Sequence, residues 1–347
     1  MANYATIVSL ASHVLNNNPT QAIMVWGAPG CGKSHLATEG LPVALGMKPM
    51  SQPDSPVRMF RPSNHDPVDL TGLPMVTSES TRWVTPDFLL ELNALAEQHG
   101  QALFVIDELN QAVPMMFNTL NGLILDRRIG DFKLHPGVRI VCTGNRQTDK
   151  AASNRMPSHT ANRLAHFDME SDLKGWQMWG IKAGLPMWII SFLGFRPNLL
   201  NAFDPDKREN PTERSWEMFA RAAGDNLPLD LTMTLAQSFV GEGAAAEVAA
   251  FRRVEAEMPN PDACLLDPKG SPLPNSLAAN YAMASAMAHR ATKQNFDSVL
   301  AYMGRMDKQY EVLCVRSAYI RKPEIAKTAA FLTWSTHPDN TAVFIGV

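Results

Sequence analysis

Residues 22–38 read Ala-Ile-Met-Val-Trp-Gly-Ala-Pro-Gly-Cys-Gly-Lys-Ser-His-Leu-Ala-Thr, and this stretch decides the fold. It begins with a short apolar run, Ala22 to Trp26, which is typical of a buried parallel strand. Gly27 to Ser34 then match the pattern G-x-x-x-x-G-K-[ST] at every position, and a helical pattern with Leu36, Ala37 and Leu41 on its apolar side follows. A strand, a glycine-rich loop and a helix in this order predict a loop that binds nucleotide phosphates, rather than an ordinary glycine-rich turn.

Each part of this loop has a physical role in binding a phosphate. The glycines allow successive backbone N–H groups to point at an anion without a side chain in the way. The N-terminus of the helix adds a partial positive charge, Lys33 supplies a mobile full charge for the β- and γ-phosphates, and Ser34 offers a hydroxyl to Mg²⁺. The predicted nucleotide-binding residues are Gly27, Ala28, Pro29, Gly30, Cys31, Gly32, Lys33, Ser34 and His35.

Length and composition are those of an ordinary globular protein with room for two domains. Of the 347 residues 45% are hydrophobic and 19% are charged, and the formal net charge of −3 gives no general attraction to nucleic acid or to an anionic membrane. No apolar run is long enough to span a bilayer, and the N-terminus lacks a signal-peptide pattern, so we expect no membrane insertion and a cytoplasmic location. The four scattered cysteines predict small core residues in a reducing compartment; they are Cys31, Cys142, Cys264 and Cys314.

Polar residues follow two further apolar runs. Ala102 to Ile106 is followed by Asp107 and Glu108, and Val138 to Thr143 is followed by a glycine and Asn145. Open α/β sheets bind ligands at the carboxyl ends of their strands, so Asp107 is expected to join Ser34 in the Mg²⁺ shell and Glu108 to polarise an attacking water. Asn145 is suited to bond the γ-phosphate and that water, although an asparagine that only forms a turn is an equal alternative.

The pattern of elements changes near residue 170. Residues 1–20 predict a lead-in helix, residues 127–136 predict a hairpin that turns at Gly130-Asp131, and from residue 172 onward the pattern is wholly helical. We therefore predict a nucleotide-binding α/β domain over 1–170 and an all-α region over 171–347.

One late helix receives a detailed prediction because it carries a candidate arginine. Asn210 fits the N-cap, Pro211 the first helical position and Glu213 the reciprocal capping role, so Arg214 is expected to project from the first turn.

Taken together, these motifs resemble the AAA+ ATPases, and within them the MoxR family, including its longer members from phage and prophage neighbourhoods. The resemblance is specific over about residues 20–220. The segments that carry it, besides the glycine-rich loop and the Asp107-Glu108 strand, are 66–74 (DPVDLTGLP), 83–89 (WVTPDFL), 124–130 (ILDRRIG), 143–146 (TGNR), 162–167 (NRLAHF) and 211–217 (PTERSWE).

The resemblance implies a fold and a set of roles. The fold is a five-stranded parallel sheet sandwiched by helices, with a hairpin inserted before the Asn145 strand, followed by an all-α lid and a C-terminal helical region. Gly27 to Ser34 would be Walker A, Asp107 and Glu108 Walker B, and Asn145 sensor 1. Arg163 would be an arginine finger, with Arg155 a weaker candidate, and Arg214 sensor 2. The arginine motifs depart from the family in having Arg163-Leu164 for Arg-Phe and Thr212-Glu213-Arg214 for Pro-Arg.

The function implied is Mg²⁺-dependent hydrolysis of ATP to ADP by a homo-oligomeric ring, usually a hexamer, that remodels a protein in a chaperone-like manner. The commonest partner class carries a von Willebrand factor A domain. The main alternative is a nucleic-acid motor similar to the MCM helicases, whose hairpin would use its cations, Arg127, Arg128, Lys133 and His135. Asp126 and Asp131 offset that charge and Phe132 is the hairpin's sole aromatic, so we expect no tight binding of nucleic acid. A scaffold that binds ATP without turnover is a third possibility, which the intact acids disfavour.

Overall fold

A computed structural model describes residues 2–76, 78–146, 156–338 and 340. The chain divides into two compact units, Met1–Ser171 and Asp172–Val347. Within the described ranges, no helix is both long enough and apolar enough to cross a membrane. The four cysteines are buried and free of disulfides.

The first unit is built on parallel strands that are rich in apolar residues. Its strands are β1 (Ile23–Gly27), β2 (Val57–Phe60), β3 (Leu73–Val76), β4 (Thr81–Val84), β5 (Ala102–Ile106), β6 (Arg128–Ile129), β7 (Phe132–Lys133), β8 (Val138–Asn145) and β9 (Ala165–Asp168). Five of them form one parallel sheet in the order β2-β5-β8-β1-β9. The pairs β3–β4 and β6–β7 form two separate antiparallel hairpins.

Helices cover both faces of this sheet. They are α1 (Tyr4–Asn17), α2 (Lys33–His35), α3 (Leu41–Ala44), α4 (Val68–Thr71), α5 (Asp87–His99), α6 (Pro114–Asn121) and α7 (Ser158–Ala161), with 3₁₀ turns at Pro62–Asn64 and Leu109–Gln111 and π-helical turns at Leu36–Gly40 and Gly122–Asp126. Alternate residues of β5 face opposite sides: Leu103 and Val105 pack in the core that includes α1, and Phe104 and Ile106 in the core that includes α5 and α6. A parallel sheet buried on both faces requires such continuous apolar strands.

The second unit is helical throughout its described residues. Its helices are α8 (Leu173–Lys182), α9 (Met187–Phe195), α10 (Glu213–Ala223), α11 (Leu229–Glu257, interrupted at Gly241), α12 (Pro261–Leu266), α13 (Leu277–Arg290), α14 (Phe296–Met303), α15 (Lys308–Arg321) and α16 (Ala329–Thr336), with 3₁₀ turns at Pro197–Leu199 and Pro323–Lys327. Most of α9 is buried. Its Trp188 packs edge-on against Phe219 of α10, and its Phe192 packs at a tilt against Trp216 of the same helix. The predicted fold class, an α/β core with a hairpin insert followed by an all-α region, is confirmed.

The predicted start of α10 was wrong by two residues. Thr212, not Asn210, is the N-cap: its Oγ1 accepts the Ser215 amide at 3.1 Å, and Ser215 Oγ accepts the Thr212 amide at 2.8 Å. Pro211 therefore precedes the helix, and Glu213 is the first helical residue rather than the reciprocal cap. Asn210 instead accepts a hydrogen bond from the backbone of the preceding loop. A serine hydroxyl completes the capping box as well as a carboxylate does, because either oxygen can accept the N-cap amide.

The β6–β7 hairpin exposes fewer of its cationic side chains than the sequence suggested. Arg127 adopts a left-handed backbone conformation, and its guanidinium donates to the backbone carbonyls of His135, at 3.2 Å, and of Val138. Burial lowers the pKa of Arg127 to about 10. Of the four predicted cations of the hairpin, Arg128 and Lys133 are exposed, whereas Arg127 and His135 are partly buried.

Candidate nucleotide-binding site

The glycine-rich loop leaves β1 at Gly27 and turns in a way that only glycine allows. Gly30 and Gly32 have φ values of 77° and 96°, in the region that other residues rarely adopt. A Cβ at Gly27 would lie 2.8 Å from Cys31 Sγ and 3.1 Å from the carbonyl oxygen of Met169. The loop is therefore tightly wound, and protein atoms leave no room for a side chain at Gly27.

Lys33, the first residue of α2, is nearly buried, with 7% of its surface exposed. Its ammonium donates to the carbonyl oxygens of Gly27 at 2.9 Å and Ala28 at 2.8 Å. These contacts hold a full positive charge against the glycine-rich loop, which is where a nucleotide phosphate needs it.

Asp107 follows β5 and is 1% exposed. Its Oδ1 accepts two hydrogen bonds of 2.7 Å, one from Ser34 Oγ and one from Thr143 Oγ1. Its Oδ2 accepts a third, from Arg61 Nε, at 2.9 Å. The hydroxyl and the carboxylate that the sequence suggested for Mg²⁺ thus lie in direct contact.

The environment of Asp107 favours its charged form. Burial alone would raise the pKa of this carboxyl, but the hydrogen bonds from Thr143, Ser34 and Arg61, together with the positive charge of Arg61, outweigh burial and lower it. Asp107 is therefore an anion at neutral pH, as a ligand for a hard cation must be.

Glu108 has φ 58°, the left-handed conformation, and its side chain is partly exposed. Its amide donates to Thr143 Oγ1 at 3.1 Å. Thr143 on β8 thereby fixes both acids: it donates to the first and accepts from the backbone of the second.

Asn145 is the last residue of β8 and pairs in register with Gly27, so it lies beside the start of the glycine-rich loop. Asn110 anchors its backbone. The Asn110 amide donates to the Asn145 carbonyl at 2.7 Å, and Asn110 Oδ1 accepts the Asn145 N–H at 3.3 Å. A Cβ at Gly144 would lie 2.7 Å from Asn110 Oδ1, so this contact requires glycine at 144.

The remaining predicted residues that the structure describes outside the glycine-rich loop are exposed, each within its own unit. His35 is exposed, and its Nδ1 lies 3.0 Å from the hydroxyl of Tyr4 in α1. Arg163 follows α7 with an exposed side chain, and its carbonyl accepts a hydrogen bond from Gln21. Arg214 is exposed in the first turn of α10, in the second unit. Arg155 lies outside the described residues.

Sequence reasoning missed Arg61, Asn110 and Thr143. A threonine two positions before Asn145 on the same strand shares its side of the sheet, and that spacing was an available signal. Asn110 is a buried polar residue, 1% exposed, two positions after Glu108. Nothing in the sequence around Arg61 distinguishes it from Arg58, three residues earlier.

The donors at this site suit Mg²⁺. Oxygen ligands from a hydroxyl and a carboxylate match its preference, and Mg²⁺ commonly takes one or two protein ligands and completes its shell with phosphates and water. Among the described residues, no three His, Cys, Asp or Glu side chains cluster closely enough to hold a metal by themselves. Ser34 and Asp107 would therefore hold the ion together with a bound nucleotide.

No protein-family model and no curated protein matches the chain. Several hundred chains of solved structures match it, and two of them illustrate the likeness. One is PCH-2 from C. elegans, which is 15% identical, with a TM-score of 0.34 and coverage of 71% of this chain and 67% of that chain. The other is a DNA polymerase III gamma subunit-related protein from Thermotoga maritima, which is 10% identical, with a TM-score of 0.39 and coverage of 97% of each chain. Likenesses of this strength carry no argument about activity. The site itself is a glycine-rich loop, a buried lysine and a charged aspartate at the carboxyl edge of a parallel sheet.

Proposed function

We propose that the chain is an ATPase of the AAA+ type, which hydrolyses ATP with Mg²⁺ and works as a homo-oligomeric ring. The observation that carries this proposal is the joint position of Ser34, Asp107 and Thr143, because it brings the glycine-rich loop and the two acids into one hydrogen-bonded unit. Phosphoryl transfer depends on placement and charge neutralisation rather than on covalent chemistry, and a rigid unit of this kind supplies both.

The residues divide the work as follows. Lys33 neutralises charge on the β- and γ-phosphates, and the loop amides orient them. Glu108 accepts a proton from the attacking water, and Asn145 positions that water. Mg²⁺, when bound, offsets negative charge on the phosphates as hydrolysis proceeds. Ser34 and Asp107 hold the ion.

Assembly into a ring is proposed because the candidate finger, Arg163, is exposed on the first unit. In this proposal Arg163 reaches the nucleotide of a neighbouring subunit, with Arg155 as a second candidate, and Arg214 contributes sensor 2. The MoxR type, a hexameric ring and a client with a von Willebrand factor A domain are the finer parts of the same proposal, supported by the sequence resemblance alone.

A protein client is favoured over nucleic acid by the charge of the β6–β7 hairpin. Arg127 is turned into the backbone, and Arg128 bonds the carbonyl of Gly130 within its own turn at 2.9 Å. Both arginines of the hairpin are thus bonded to its own carbonyls, and Asp126 and Asp131 offset the remaining charge, so the hairpin offers little to a phosphate backbone.

The experiment that tests the ATPase proposal compares the parent protein with Lys33→Ala. We expect Mg²⁺-dependent phosphate release from ATP by the parent and loss of both nucleotide binding and release in the variant. Lys48→Ala is the matched control, because Lys48 is an exposed lysine paired with Asp54 at 3.8 Å. Parent protein without phosphate release, or Lys33→Ala with the parent's rate, would contradict the proposal.

A further inference from the structure

Arg61 has no role in the mechanism above, yet it forms a hydrogen-bonded ion pair with Asp107, the proposed metal ligand. It follows β2, which pairs with β5 along the sheet, so its backbone lies beside the start of the Asp107 loop. The Asp107 amide donates to the Phe60 carbonyl at 2.9 Å, which extends that pairing to the residue before Arg61. Pro62 follows and keeps Arg61 extended, with φ −107° and ψ 108°.

The contact uses the one carboxylate oxygen of Asp107 that no hydroxyl occupies. Ser34 and Thr143 both donate to Oδ1, and Arg61 Nε donates to Oδ2. Oδ1 already accepts two hydrogen bonds, so Oδ2 is the oxygen with more capacity for a further partner. The Arg61 guanidinium therefore occupies the side of Asp107 at which a second cation could approach.

The two partners differ sharply in their surroundings. The Asp107 side chain is 2% exposed, whereas the Arg61 side chain is 47% exposed. An arginine that is half in water can leave its partner at little cost, while the buried carboxylate cannot remain without a positive partner. The pair is thus suited to exchange one cation for another.

We propose that Arg61 is an exchangeable counter-ion that competes with Mg²⁺ for Asp107. This inference rests on the proposed function, since it concerns the metal that accompanies the nucleotide. Without metal, Arg61 neutralises the buried carboxylate and keeps Asp107 charged and in place. With metal, Arg61 is displaced, and its nearby charge weakens the hold on the ion, which eases the loss of metal when ADP leaves.

The test measures metal binding rather than activity. Protein loaded with ADP is titrated with Mn²⁺, and bound ion is followed by the decrease of the free-ion signal in electron paramagnetic resonance. Arg61→Gln removes the competing charge, so we expect Mn²⁺ to bind about tenfold more tightly than in the parent, because two cations only a few ångströms apart repel even near solvent.

The matched control is Arg58→Gln, which removes the same charge from the same segment. Arg58 bonds Glu91 at 2.6 Å instead, so its loss is expected to leave Mn²⁺ affinity unchanged. Arg61→Met, which retains a long apolar stem, must give the same tightening as Arg61→Gln and provides a second variant if one of them folds poorly. ADP affinity measured in EDTA confirms that each variant retains its nucleotide site.

Two outcomes overturn the inference, and they are distinguishable. Arg61 variants that bind ADP normally but bind Mn²⁺ with the parent's affinity, or more weakly, overturn the counter-ion role alone. A parent protein that binds neither ADP nor Mn²⁺ overturns the proposed function and this inference with it.

Discussion

The hydroxyl of Thr143 lies 2.7 Å from Oδ1 of Asp107, a residue 36 positions earlier in the sequence. This hydrogen bond joins β8 to the residue that follows β5. The hydroxyl oxygen of Thr143 also accepts a hydrogen bond from the backbone amide of Glu108. A single side chain of β8 thus sets the position of both acids, and its loss should affect chemistry more than folding.

We expect Thr143→Val to lower the rate of ATP hydrolysis by about ten- to a hundredfold, because valine keeps the shape but releases both acids from their fixed positions. Phosphate release under saturating ATP measures this effect. Thr119→Val is the control, since the Thr119 hydroxyl bonds only a carbonyl of its own helix, at 3.3 Å. An unchanged rate in Thr143→Val would mean that the backbone alone positions the acids.

Glu108→Gln is expected to bind ATP as the parent does and to reduce turnover by at least about a hundredfold, since an amide cannot accept the proton of the attacking water. Nucleotide affinity and single-turnover phosphate release are the two measurements. A variant with turnover near that of the parent would remove Glu108 from the mechanism.

Arg163 is predicted to act on a neighbouring subunit. Mixing Lys33→Ala subunits with Arg163→Ala subunits should restore part of the ATPase activity, because some interfaces then combine an intact Lys33 with an intact Arg163. The control is a ring made only of the Lys33→Ala/Arg163→Ala double variant. It should remain inactive because none of its interfaces has an intact Lys33 or an intact Arg163. Absence of rescue in rings shown to mix would place Arg163 in its own subunit's site or in a structural role.

Nucleic acid is predicted neither to bind tightly nor to stimulate the ATPase. The measurement is the ATPase rate against added single- and double-stranded DNA and RNA at about 0.15 M salt, where charges are screened over about 8 Å. Stimulation of several-fold that Arg128→Ala and Lys133→Ala abolish would favour the motor instead.

Tyr4 gives the protein an alkaline sensitivity. Burial, with a smaller contribution from the charge of Glu39, raises the pKa of Tyr4 to about 12, above the ordinary value for tyrosine of about 10. A raised pKa in the folded state means that this stabilisation is complete below about pH 10 and is lost as pH rises towards 12. The difference in unfolding free energy between the parent and Tyr4→Phe should therefore be constant below about pH 10 and shrink between about pH 10 and pH 12. A constant difference, measured by denaturant titration, would contradict this.

The fold was largely predictable because its information is local. The apolar runs at 22–26 and 102–106 and the mostly apolar run at 138–143 each became a strand of the sheet, since a strand buried on both faces needs a predominantly apolar stretch. The glycine-rich loop was predictable for the same reason, because its residues are consecutive and its backbone demands particular residue types.

The missing parts of the site depend on contacts between distant segments. Arg61 and Asp107 are 46 residues apart, and only the pairing of β2 with β5 brings them together. Arg127 shows that a local pattern can also mislead. Its position on a hairpin indicated an exposed cation, whereas in the structure its backbone is left-handed and its guanidinium donates to backbone carbonyls. At the start of α10, Asn210 and Thr212 both suit an N-cap, and local sequence did not decide between them.

The left-handed backbone of Glu108 has a consequence for the evolution and engineering of this protein. A residue with a side chain costs about 1 kcal/mol in this conformation relative to glycine, so the chain carries a local cost in stability at the residue proposed to activate water. Glycine at 108 would relieve that cost and remove the carboxylate in one step. Selection for thermal robustness alone would therefore favour inactive descendants, and any screen for stabilised variants should be coupled to an activity assay.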